Sequence, residues 1–165
     1  MMITREPLRD KTQTIARIFQ VARVYYHDLE NIYIEKRGNR IPVSALQLSD
    51  FFNFVKSLPY KRDGANLEIV ARPFIILQRV KNYGRDCKKA CVLLGSFFNL
   101  NSLKWRIVTV STRGDKEIHH VFPQLKTNTG YVNYDATYSS MKPGENKIVT
   151  AAEYFYESGV INSYR

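Results

Sequence analysis

The sequence predicts an α+β domain, with helices in the first half and a meander of antiparallel strands in the second. Three observations lead there. Leu8, Ile15, Ile18, Phe19, Ala22, Tyr25, Tyr26 and Leu29 recur at helical spacings. Ala90, Cys91, Leu93, Leu94, Phe97 and Phe98 form a broad apolar face, suited to a central helix lying on a sheet. Beyond Trp105 the period drops to two, and the turn signals Arg113-Gly114-Asp115 and Thr127-Asn128-Thr129-Gly130 cut the chain into strands.

Taken in order, the first helix is expected from about Pro7 to His27, its pattern continuing toward Lys36. Pro7 suits a first turn, where its missing N–H costs nothing. Gly38-Asn39 breaks the helix, and Arg40-Ile41-Pro42 reads as extended because a residue before proline avoids the helical region. A second helix starts at Val43 or Ser49, with Ser49-Asp50 as its cap, and stops before Pro59. Tyr60 to Asn66 is a loop by composition. Arg72-Pro73 then leads into an apolar helical stretch, and the helix from Cys87 ends near Asn99 to Asn101. Strands are expected over Trp105–Thr112, Glu117–Phe122 and Tyr131–Ala136, with one more helix from Thr150 to Glu157.

Composition narrows the function classes. The chain has 165 residues, 44% apolar and 13% aromatic, enough for one domain with a real core and too apolar for a disordered chain. No apolar run approaches the ~18 residues of a membrane span, and the N-terminus lacks the pattern of a secretory signal, so a cytoplasmic protein is expected. Lys plus Arg number 25 against 15 acidic residues, a net charge of +10. Such a field attracts nucleic acid, anionic lipid or acidic cell-wall polymers, yet no long basic run forms a dedicated nucleic-acid arm. Cys87 and Cys91 lie one helical turn apart, about 6 Å along a rigid rod, which disfavours a disulfide. The cysteines and His27, His119 and His120 do not fall into a metal-ligand spacing, and no cofactor motif is present, so neither metal nor cofactor is expected.

The stretch Tyr83-Gly84-Arg85-Asp86-Cys87-Lys88-Lys89 organises the rest. A charged, glycine-bearing turn runs into the apolar helix with Cys87 at the junction, among unpaired N–H groups at the positive end of the helix dipole. A thiolate forms most easily there. A free thiol, with a pKa of about 8.5, is mostly protonated at neutral pH and needs such help. Downstream, His119-His120-Val121-Phe122 and Tyr131-Val132-Asn133-Tyr134-Asp135-Ala136-Thr137 read as strands, each bearing a polar group that could complete a Cys-His-Asp relay. Because side chains alternate along a strand, only one of His119 and His120 should reach Cys87.

A cysteine after a Gly/Asp turn at a helix start, then His-Val-aromatic, then Asp-x-Thr-Tyr, resembles the transglutaminase-like superfamily, whose core is a papain-like Cys-His-Asp thiol site. The likeness spans roughly Leu67 to Tyr138, and the apolar turn after Arg72-Pro73 is similar as well. It implies a papain-like, transglutaminase-like fold, with N-terminal helices and a nucleophile-bearing central helix packed on an antiparallel sheet. Residues 1–66 would form a helical part, 67–140 the catalytic core and 141–165 a C-terminal extension of a single domain. The resemblance selects His120 as the general acid/base, with Cys87 as nucleophile and Asp135 as orienter. The Cys87 N–H would supply one oxyanion donor, with Asn82 or Gln78 as the second. Where the family has Gly-Asp-Cys followed by acidic residues, this chain inserts Arg85 and carries Lys88-Lys89. The substrate is expected to be a protein or peptide, anionic or cell-wall derived, in a groove lined by Tyr83, Lys88, Lys89 and Trp105. Hydrolysis is the expected reaction, with cross-linking acyl transfer, or a silent basic binding or virion module, as alternatives. Small stand-alone members in phage and bacteria make a phage setting an expectation of the same kind.

Overall fold

A computed structural model describes residues 11–64, 69–111, 119–138, 141–145, 151–156 and, for the backbone, 161–164. The described chain is α+β, helices first and an antiparallel sheet second. Helix α1, Lys11–Val24, buries Ile15, Ile18, Phe19, Val21 and Ala22. The expected start at Pro7 lies outside the described residues.

After a 3-10 turn at Tyr26–Asn31, the chain departs from expectation. The helical pattern does not run on to Lys36. Instead Tyr33–Lys36 (β1) pairs antiparallel with Asn39–Pro42 (β2). Arg37 and Gly38 both take left-handed φ values, 52° and 78°, as a two-residue hairpin turn requires. Turn chemistry and the extended bias before Pro42 outweigh the helical spacing of the preceding apolar residues, and the first 66 residues are therefore not wholly helical.

Helix α2 spans Leu48–Ser57. Its cap position is Gln47, without a side-chain cap bond, so Ser49-Asp50 does not cap the helix. Asp50 sits in the first turn, where its charge favours the dipole. Helix α3, Pro73–Tyr83, carries its proline at the start and is capped from a distance: the Phe74 N–H donates to the Asp28 carboxylate at 3.1 Å, which also pairs with Arg72.

Helix α4, Cys87–Leu100, is the axis of the molecule. Ten of its residues are buried, on every face, so it must be covered all round. Phe97 stacks on Phe51 of α2 with ring centroids 4.2 Å apart. Beneath α4 lie β3 (Trp105–Ser111), β4 (His120–Thr127), β5 (Gly130–Asn133), β6 (Ala151–Phe155) and β7 (Ile161–Tyr164), in the order β5-β4-β3-β6-β7 with all pairings antiparallel. The helix expected over Thr150–Glu157 is thus strand β6 in its described part. Ala151 to Phe155 have helix-compatible residues, yet β3 needs a partner on its free edge, and Phe155 pairs opposite Ile107. The turn expected at Arg113-Gly114-Asp115 lies outside the described residues. Among the described residues no helix is long and apolar enough to cross a membrane.

Gly95 marks the tightest contact between α4 and the sheet: a Cβ there would stand 2.4 Å from Cη2 of Trp105. The indole is itself held by Phe19 and by a 2.8 Å bond from its Nε1 to Asn99 Oδ1, so it cannot yield. Gly95→Ala is expected to cost about 1–3 kcal/mol, and urea denaturation of the variant measures it.

Candidate active site

Asp86 begins the site. Its Oδ1 accepts the Lys89 N–H at 3.0 Å, the N-cap bond of α4, which leaves Cys87 as the first helical residue with its N–H outside the helix ladder. The preceding turn depends on Gly84, at φ 63°, which lets the backbone meet Lys61 so closely that a Cβ would lie 2.4 Å from Lys61 Cβ. Arg85 then forms a parallel bridge with Tyr60: the Arg85 N–H donates to Pro59 O at 2.8 Å, and the Lys61 N–H donates to Arg85 O at 3.1 Å. The loop after α2 is thereby pinned beside Cys87.

The sheet delivers the other two groups. His120 is the first residue of β4, opposite Val110 of β3, and Asp135 follows the end of β5. His120 Nε2 lies 2.7 Å from Asp135 Oδ2, both side chains being about 5% exposed. Asp135 Oδ1 accepts the Thr137 N–H at 3.0 Å, which fixes the carboxylate. Cys87 stands close enough to the imidazole to act on its titration. With Nε2 turned to Asp135, Nδ1 is the nitrogen left for the sulfur. Burial pulls the His120 pKa down, but the bond to Asp135, the nearby Cys87 and their negative charge outweigh it and push the pKa up to about 9. At neutral pH the ring therefore carries a proton.

These groups open into a cleft of about 390 Å³ walled by Tyr60, Arg62, Asp63, Lys88, His119 and Tyr138. Cys87 is half-buried, whereas Cys91 is fully buried and its thiol is pushed well above the ordinary range, chiefly by burial. The two histidines both border the cleft, contrary to the alternation rule. His119 precedes the strand, tied by its N–H to Val110 O at 3.2 Å, and so is not bound by the strand's two-sided geometry.

The other sequence candidates are scattered. Lys88 lines the cleft, but it pairs with Asp86 at 2.8 Å and Asp63 at 3.5 Å. Lys89 is buried against Asp63 at 2.5 Å. Burial raises the Asp63 carboxyl, yet Lys89, the Ile69 N–H and Lys88 together hold it below its usual range. The expected cationic rim is therefore largely neutralised. Tyr83 and Lys89 border a different, apolar cavity of about 400 Å³ with Ile69, Ala71, Ile75 and Ile76. Trp105 packs at the far end of α4, near Gly95, about 12 Å along the helix from Cys87. Gln78 and Asn82 are exposed on α3 and do not line the cleft. Conversely, Tyr60, Arg62 and Asp63 border it and went unread, because a polar loop carries no periodic signal; an aromatic beside opposite charges was the one clue available.

Neither a protein-family model nor a curated protein matches this chain.

The raised His120 pKa is a stability statement. A group whose folded pKa exceeds its unfolded value, here about 9 against 6.5, contributes stability that is full below 6.5 and lost as pH rises through 9. Unfolding free energy is expected to fall by up to about 3 kcal/mol over that window. Asp135→Asn should flatten the decline, and chemical denaturation at several pH values checks both.

Proposed function

We propose that this protein is a thiol hydrolase, a protease or amidase, that cleaves amide or peptide bonds through an acyl-enzyme on Cys87. The observation that carries the reading is the Cys87–His120–Asp135 chain at the open N-terminus of a buried helix, facing a cleft. The order of the three groups and their origin in one central helix and one antiparallel sheet support a papain-like, transglutaminase-like arrangement.

The steps follow from what each group touches. In the reacting form, with the proton on His120 and the sulfur as thiolate, Sγ attacks the substrate carbonyl carbon. The carbonyl oxygen takes up the negative charge and faces the Cys87 N–H at the positive end of α4. His120 gives its Nδ1 proton to the leaving amine, the C–N bond breaks, and a thioester remains. Water then loses a proton to His120, attacks the thioester and releases acid and thiolate. Asp135 keeps the imidazole in one orientation by accepting from Nε2 throughout. The second oxyanion donor is better sought in the cleft than on α3. The Tyr60 hydroxyl, which accepts from Arg62 Nε at 3.3 Å and retains its own proton to donate, suits that role. With Lys88 and Lys89 engaged by carboxylates, a neutral peptide fits the cleft better than a strongly anionic one.

Iodoacetamide at pH 6.5 is expected to label Cys87 at least tenfold faster than the buried Cys91, and His120→Ala should slow the labelling of Cys87 itself about tenfold; mass spectrometry of the tryptic peptides reads both. Equal, slow labelling of both thiols would overturn the enzyme reading. Tyr60→Phe should slow acylation by a peptide ester about 10-fold or more without slowing iodoacetamide, which develops no oxyanion. Amide product formed from an added primary amine, in place of acid, would turn the hydrolase into an acyltransferase.

A further inference from the structure

We propose that Arg85 is a positioning residue whose buried positive charge balances the ion-paired form of Cys87, His120 and Asp135. The inference rests on the reading of those three as a thiol site.

Arg85 is among the most buried side chains of the molecule, 2% exposed. Its Nη2 donates to the Lys56 carbonyl at 3.1 Å, while Nε and Nη1 are buried with no hydrogen-bond partner among the described residues. No carboxylate among them forms an ion pair with it either. The Tyr60 ring, 6.0 Å away, offers only a weak cation–π contact. An enclosed cation without a counter-ion is costly, so such a group is retained where a negative charge elsewhere compensates it. Arginine cannot escape the cost by losing its proton under ordinary conditions.

A tally of charges locates the compensation. Among the described residues, Lys88 and Lys89 pair with Asp63 and Asp86, two cations against two anions. The thiolate, imidazolium and Asp135 carboxylate carry one positive and two negative charges. Arg85 supplies the missing positive charge, and its field acts on Asp135, Asp86 and Cys87. Its position is fixed by backbone bonds to Pro59 and Lys61 on one side and by the start of α4 on the other. Without it, the net negative charge left once the site gives up a proton would stand uncompensated in a low-dielectric site, and that loss would need a higher pH. The other charged or titratable groups that line the cleft with Cys87 are Tyr60, Asp63, Asp86, Lys88, His119, Tyr138 and Arg62, the last of which is exposed and open to salt screening.

The test is the pH midpoint of the Cys87 alkylation rate in the full chain at 0.5 M salt, in wild type, Arg85→Lys, Arg85→Gln and Arg85→Met, each kept below its melting temperature. Arg85→Gln and Arg85→Met should move the midpoint up by one pH unit or more, while Arg85→Lys stays within half a unit of wild type. Arg62→Gln should shift it by far less at this salt. Folded Gln or Met variants with a wild-type midpoint would overturn the proposal and leave Arg85 a packing residue. If neither neutral variant folds on its own, all four proteins are measured in 1 M trimethylamine N-oxide, which favours the folded state, and the same two outcomes decide. Failure of the thiol-site reading looks different, since wild-type Cys87 would then alkylate slowly and ignore His120→Ala.

Discussion

Everything in this molecule follows from a helix with no solvent face. From Ala90 to Phe98 every residue of α4 is buried, so its sides must be enclosed, by α1 and α2 on one flank and by the sheet on the other. Enclosure of the sides leaves the ends. The C-terminal end is closed by Trp105 and Asn99, whose hydrogen bond ties strand to helix. The N-terminal end opens at the cleft, and its unpaired N–H groups and partial positive charge concentrate there. The same packing that makes a core thus delivers Cys87, half-buried, to the one place where a sulfur can be polarised and reached.

Around that end the structure spends many charges in a small volume, and keeps them in order by pairing. Asp63 reaches from the loop after α2 to hold Lys88 and Lys89, and Asp86 caps the helix while meeting Lys88. These contacts neutralise the helix's own lysines. They also anchor the loop that forms one wall of the cleft. Burial makes each pair stronger than its surface counterpart and makes a lost partner more costly.

How much of this is legible in the sequence depends on the range of the determining interaction. The Gly84-Arg85-Asp86-Cys87 turn, the α4 face and the β3–β4–β5 meander are written in local periodicity and turn chemistry, so they can be read directly. So can the three residues Cys87, His120 and Asp135 as candidates. What fails is whatever a distant partner decides. Ala151 to Phe155 become a strand because β3 has an open edge. Helix α3 is capped by Asp28 rather than by a neighbour. Lys88 and Lys89 read as a free basic rim until Asp63 folds over them. Tyr33 to Lys36 are the exception: their strand is set locally, by the Arg37-Gly38 turn that joins it to β2.

The chain supplies the three groups of the cleft from segments far apart in sequence, and the backbone makes one further tie, between Tyr60 and Arg85, that belongs to neither helix nor sheet. No fragment that stops short of Asp135 holds all three groups. Residues through α4 would carry the cysteine without its imidazole, and the sheet would carry the imidazole without a sulfur. On the proposed reading, chemistry therefore begins only when β4 and β5 have closed on the helix. A nascent or damaged chain carries an ordinary thiol, and completion of the fold serves as its own activation step.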